Sequence, residues 1–159
     1  MLKLAKFALP LFLVNPSFAT ALIDSELVNA ANKGNIRLVK QILDEKQIQP
    51  EELNTAFVAS VKKGHTEIVE RFLQAGANIN SKNDEDYTPL MQAAHDCRDE
   101  IVKLLLKASA DVNAVNDEKD TALILAAGKN RRQAVELLLA AHANVNAKRI
   151  NGMTALLLA

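Results

Sequence analysis

Four threonines, Thr55, Thr88, Thr121 and Thr154, stand 33 residues apart, and Asn80, Asn113 and Asn146 keep the same step, as do Ala77, Ala110 and Ala143. A fixed period of this length means that one supersecondary unit is copied along the chain, so every residue is read first by its place in the unit. The copies run TAFVASVKKGHTEIVERFLQAGANINSK from Thr55, TPLMQAAHDCRDEIVKLLLKASADVNAV from Thr88 and TALILAAGKNRRQAVELLLAAHANVNAK from Thr121. An earlier copy, SELVNAANKGNIRLVKQILDE from Ser25, aligns with Gly34 thirty residues before Gly64.

Each copy reads as two helices. Thr88 can cap a helix whose first residue is Pro89, a position where the missing N–H costs nothing. Leu90, Ala93 and Ala94 then put apolar and small side chains on one face. A second helix from about Asp99 carries Ile101, Val102, Leu105 and Leu106 at the i, i+1, i+4, i+5 spacing of a buried stripe. Composition agrees: aromatics are 4%, tryptophan is absent and glycine numbers 5, while alanine and leucine recur throughout, which favours helices over sheets. One such pair cannot hide its own apolar face, but a stack of about three or more can.

Thr88-Pro89-Leu90, Ala93-Ala94, Gly64-His65 with Ile68-Val69, and Gly76-Ala77-Asn78-Ile79-Asn80 resemble the ankyrin repeat. The tetratricopeptide repeat, with a period of about 34 and other anchor residues, fits less well. The resemblance implies an all-α fold, a solenoid of stacked helix-turn-helix units with projecting β-turn fingers. The units are expected at about 22–54, 55–82, 83–115 and 116–148, with a partial unit over 149–159.

Several positions depart from the pattern. The first unit has Gln47-Ile48-Gln49-Pro50-Glu51-Glu52 in place of a finger, is three residues shorter, and reads as an N-terminal cap. Cys97 and Asn130 replace the glycine between the two helices, and Ser109 and His142 replace the glycine before the finger. Asparagine tolerates a left-handed backbone and cysteine does so poorly, so strain or a shift of register is expected at Cys97. Met91, Ile124 and Leu157 stand where the family has histidine, so its Thr–His bond does not carry over. The sequence ends about halfway through the first helix of the partial unit, which leaves one side of unit four to be covered by something else, unless the chain is a fragment.

The first residues look like an address. Lys3 and Lys6 precede an apolar run from Phe7 to Val14 broken only by Pro10, then Asn15, Pro16 and Ser17. Ser17 and Ala19 are the small residues of a cleavage site before Thr20, so residues 1–19 are expected to be a secretory signal and the mature chain exported, periplasmic or secreted. The run is far shorter than the roughly 20 residues of a membrane span, and no cysteine follows it to accept a lipid. The competing reading is an amphipathic segment docked on the domain.

Nothing in the sequence assembles a reaction site. Lysine plus arginine equals aspartate plus glutamate at 19 each, which supplies no net field for nucleic acid or an anionic membrane. Cys97 is the only cysteine, so no internal disulfide or thiolate cluster can form. Phosphate-loop, dinucleotide and His-Glu-x-x-His patterns are absent. His65 reads as scaffold, and His142 as a surface substitution. His95 and Cys97, two apart, suggest a metal site or thiol nucleophile only weakly, because no third ligand or base accompanies them. The chain is therefore read as a non-enzyme without cofactor or metal.

What remains is recognition by surface, by a monomer, of a protein partner whose identity the sequence does not give. The resemblance implies a concave face built from finger tips and first-helix ends. Placed on this sequence, it selects Lys82, Asp84, Glu85, Tyr87, His95, Asp96, Asp117, Glu118, Asp120 and Lys129, with Lys62 beside them. The middle fingers are then acidic, and Tyr87, the only tyrosine, reads as a solvent-facing anchor at a finger tip. An effector delivered into a host cell, binding host proteins, is the alternative within the same class, and an enzyme using His95 and Cys97 the alternative outside it.

Overall fold

A computed structural model describes residues 26–45 and 47–158. The expected signal segment, residues 1–19, lies outside them. The described chain is helical throughout: α1 over residues 26–33, α2 Ile36–Glu45, α3 Pro50–Lys63, α4 Thr66–Gln74, α5 Pro89–His95, α6 Asp99–Lys107, α7 Ala122–Gly128, α8 Arg132–Ala140 and α9 Ala155–Leu158. The helices lie in two rows. In one, α3 packs on α5, α5 on α7 and α7 on α9; in the other, α2 packs on α4, α4 on α6 and α6 on α8. Within a unit α3 meets α4, α5 meets α6 and α7 meets α8.

The apolar stripes meet between the rows. Val39, Val69 and Val102 are fully buried at equivalent places, as are Phe72, Leu105 and Leu138 one turn later. In the first row the interior side chains are small: Ala56, Ala93, Ala94 and Ala126 are fully buried, which lets neighbouring helices approach closely. Phe57, Leu90, Met91, Leu123 and Ile124 fill the remaining space.

Helix starts follow the expected chemistry in two units. The hydroxyls of Thr88 and Thr121 accept from the N–H groups of Met91 and Ile124, 3.3 Å away in each case. Unit two differs. Its first helix begins at Pro50, so Thr55 lies inside α3 and its hydroxyl donates back to the Glu51 carbonyl at 2.8 Å. The residues that form a finger elsewhere are here an added helical turn, started by Pro50 with Glu51 and Glu52 near the positive helix end.

The turns between paired helices are all left-handed. Gly34 and Gly64 occupy this region, and so do Cys97 at φ 59° and Asn130 at φ 55°. Register is kept at Cys97, since Arg98 N–H still reaches the Ala93 carbonyl at 2.9 Å, so the misfit is taken up as backbone strain. Ser109 and His142, at φ 65° and 61°, repeat this before the fingers.

Two ladders join the layers. In the first, a side chain at the start of each second helix reaches back to the C-terminal end of the preceding unit's first helix. His65 Nε2 lies 3.2 Å from the Asn32 carbonyl, Arg98 donates to Lys62 O at 3.4 Å and Arg131 to His95 O at 3.3 Å. Donors there satisfy carbonyls left open where a helix ends. In the second ladder Asn54, Asn80 and Asn113 accept through their side-chain oxygens from the N–H groups of Asn78, Asp111 and Asn144, at 2.7, 3.0 and 2.8 Å. Asn78, Asp111 and Asn144 in turn each accept from the N–H two residues on, which shapes the loop. The repeated Ala-Asn-Val-Asn motif is thus a joint between layers.

Candidate partner-binding face

Three fingers follow the second helices. In each a residue of φ near +60° to +80° closes the turn: Asp86, Lys119 and Gly152. Asn83 N–H donates to the Tyr87 carbonyl, Asn116 N–H to that of Asp120 and Arg149 N–H to that of Met153, so the fingers are copies of one β-turn. They are also tied together, since Ile150 N–H donates to the Glu118 carbonyl at 2.9 Å.

Two clefts open between the fingers and the first-row helices. One, of about 450 Å³, lies between α3 and the 83–87 finger, with Thr55, Val58 and Ala59 as its floor and Lys62, Lys82 and Glu85 at its rim. The other, of about 290 Å³, lies beside α7 and is lined by Tyr87, His95, Glu118, Leu125, Lys129 and Arg149. The structure therefore brings Lys82, Asp84 and Glu85 to the first cleft, and Tyr87, His95, Glu118, Asp120 and Lys129 to the second. Asp117 is exposed on its finger, and Asp96 stands behind His95, with its Oδ1 2.7 Å from His95 Nδ1. Burial raises the Asp96 pKa, but hydrogen bonds from His95 and Gln92 overcome it and hold this carboxyl below its usual range.

Tyr87 corrects an expectation. It sits at the base of its finger, next to the Thr88 cap, half-buried against the core, while residues 84 and 85 form the tip. Its ring is tilted at 60° to that of His95 with centroids 6.1 Å apart, an edge-to-face range. Burial, followed by the charges of Asp120, Glu118 and Glu85, pushes its hydroxyl pKa up, so it stays a neutral donor.

The acidity of the fingers is also altered by contacts that sequence reasoning missed. Lys62 pairs with Glu85 at 3.4 Å, and Lys82 with Asp86 at 2.9 Å, while Lys82 also donates to the Val115 carbonyl of the next finger. Arg149 binds Glu118 at 2.7 Å and Asp120 at 2.9 Å. Asp120 is only 2% exposed, so it supports the face from behind and is not available to a partner as a free carboxylate. Spacing gave one usable signal for Arg149, which stands one residue after the 33-step position of Asn116 and Lys82–Asn83 in its finger; the contact itself needed two fingers in register. Gln92, 3% exposed, was likewise missed, and it accepts from the Asn83 amide at 3.0 Å, fixing the first finger to α5.

His95 and Cys97 are not brought together on one cleft. Cys97 is exposed in a separate depression with Gly64, Thr66, Arg98 and Asp99, whereas His95 faces Tyr87. Among the described residues no group of three or more His, Cys, Asp or Glu is placed to share a metal ion, and no helix is long and apolar enough to cross a membrane.

A family model described as ankyrin repeats in three copies matches residues 27–116 and 98–159. The chain belongs to the ankyrin-repeat family. Ankyrin repeats are in general protein–protein interaction modules and typically non-enzymatic, and the all-helical stack with its fingers is the ankyrin solenoid. No curated protein matches the chain. Against the ankyrin pattern the particular features here are the finger-less first gap, the side chains in left-handed turns and the Arg149 clasp.

Proposed function

We propose that this ankyrin solenoid is a scaffold that binds a protein partner across its concave face, with Tyr87 and His95 as the anchor between the two clefts. The observation that carries this reading is that pair: two half-buried rings, one with a neutral hydroxyl, standing beside the second cleft while the finger next to Tyr87 borders the first. Partly buried aromatics with a polar end are the usual anchors of interfaces, because they offer large contact area for few rotatable bonds. The ion pairs around them pre-set the fingers, which lowers the ordering cost of binding. With the fingers' acids largely paired, the face selects by shape and hydrogen bonding more than by net charge.

The same reading places the mature chain outside the cytoplasm, on the strength of Lys3, Lys6, the Phe7–Val14 run and the small residues Ser17 and Ala19. Fractionation of the native cells, with N-terminal sequencing, tests it: a mature chain beginning at Thr20 in the periplasm is expected, and recovery in a host cell would favour delivery as an effector. For binding, the protein captured by the mature chain from its own compartment is titrated against wild type, Tyr87→Ala and His95→Ala. Each variant is expected to lose affinity by about 1–3 kcal/mol, and a Lys103→Ala control on α6 to lose none. Equal affinity for all four would remove the concave anchor.

A further inference from the structure

The exposed large apolar side chains among the described residues gather at one end of the stack. Val115, Leu139, Val145, Ile150, Met153, Leu156 and Leu157 are all exposed, Leu156 at 85%, and every one falls after residue 114. At the other end α1 and α2 turn Asn29, Lys33, Arg37, Lys40 and Gln41 to solvent. Between α8 and α9 lies a groove of about 300 Å³ lined chiefly by Leu123, Ala127, Val135, Leu139, Val145 and Ala155.

The interface that this groove continues is already present three times. In the second row α4 lies on α2, α6 on α4 and α8 on α6, each later helix delivering an apolar stripe such as Ile101, Val102 and Leu105. The loop after each of them delivers one N–H to an asparagine oxygen of the previous layer. On the far side of α8 both halves of the joint stand open. Leu139 and Val145 are 43% and 51% exposed, and among the described residues no N–H meets the side-chain oxygen of Asn146, the next member of the asparagine series.

We propose that this groove is a second interaction surface, separate from the concave face, which takes an amphipathic helix about nine residues long followed by a turn whose N–H docks on Asn146. The chemistry of the occupant follows from the joint. It presents apolar side chains at i, i+1 and i+4 against Val135 and Leu139, and a polar outer face to water.

The chain contains a segment with these properties, and a synthetic peptide of residues 98–116, RDEIVKLLLKASADVNAVN, is the probe. Labelled peptide is titrated by fluorescence anisotropy with the full chain, with the chain from Thr20, and with Leu139→Glu and Asn146→Ala variants. Saturable binding is expected to both chain forms, weakened about tenfold or more by Leu139→Glu and several-fold by Asn146→Ala. A peptide carrying Leu105→Glu is expected not to bind. Leu139 is part-exposed already, so circular dichroism melts of the variant should match wild type. Absence of saturation, or equal binding by the Leu139→Glu variant, overturns the proposal. Binding that appears only after residues 1–19 are removed would instead give the groove to that segment. A concentration-dependent dimer in sedimentation, broken by Leu139→Glu and insensitive to the peptide, would give it to a second copy. Either result overturns the proposal for a helix in trans.

Discussion

The guanidinium of Arg149 closes on the buried carboxylate of Asp120, Nε to Oδ1 at 2.9 Å and the terminal nitrogen to Oδ2 at 3.0 Å, so that one finger holds the next. Burial nevertheless leaves the Asp120 pKa above the ordinary value, the Arg149 charge offsetting only part of the desolvation. A carboxylate raised in this way contributes most to stability while protonated, and the contribution is lost as pH rises through its folded-state pKa, above 3.8. Arg149→Ala, which leaves the charge without its partner, is expected to destabilise by about 2 kcal/mol at neutral pH. The loss should shrink toward pH 3. Urea melts of both proteins from pH 3 to 7 measure it, and a loss independent of pH would rule out the pairing as its source.

Asp96 has the opposite sign. Its carboxyl is held low, so the stability it adds is present above its unfolded value and falls away as pH drops through the lower folded value. Asp96→Asn should therefore lose stability relative to wild type at neutral pH and converge with it in acid. Thermal melts across the same pH range give the comparison, and divergence in acid would contradict the assignment.

Cys97 and Gly64 occupy equivalent left-handed turns, which makes their exchange informative. At Cys97 the side chain is exposed and only the backbone is strained, so Cys97→Gly is expected to raise stability by about 1 kcal/mol. At Gly64 a Cβ would meet the Arg98 guanidinium at 2.9 Å in addition to sitting at φ +83°, so Gly64→Ala should be destabilising. A glycine variant at position 97 that melts lower would show the thiol to be packed.

Asparagines 113 and 146 share one sequence motif but not one environment. Asn113 accepts the Asn144 N–H at 2.8 Å, and Asn113→Ala should cost about 1 kcal/mol. Asn146→Ala, with no such N–H opposite it, should change the melting temperature of the isolated chain little. Equal losses in thermal denaturation would mean that the ladder does not carry the difference.

Tyr87→Ala is expected to lower stability as well as binding. The ring packs on the core beside His95, and removing a half-buried aromatic should cost about 1–2 kcal/mol. Tyr87→Phe keeps the packing and should melt like wild type, which separates the hydroxyl's part in recognition from the ring's part in the fold.

The period itself was legible. Exact spacing of Thr88 and Thr121, the Ile101–Leu105 stripe and the small Ala93-Ala94 face are local statements about capping, helical phase and size, and local statements survive in a one-dimensional reading. The left-handed turn at Cys97 was legible for the same reason, since its place was fixed by alignment with Gly64. Three things needed the stack. α3 begins at Pro50 because the first gap lacks a finger and the chain continues as helix. Tyr87 leans on the core because α5 and α7 stand where its ring can reach them. The acidic fingers lose most of their free charge because Lys62, Lys82 and Arg149 cross to them from other layers or along the turn, and Asp120 is buried beneath the clasp. A repeat sequence states what each unit is; which side chains of one unit neutralise or cover those of the next depends on distances between layers, and those exist only after the units have stacked.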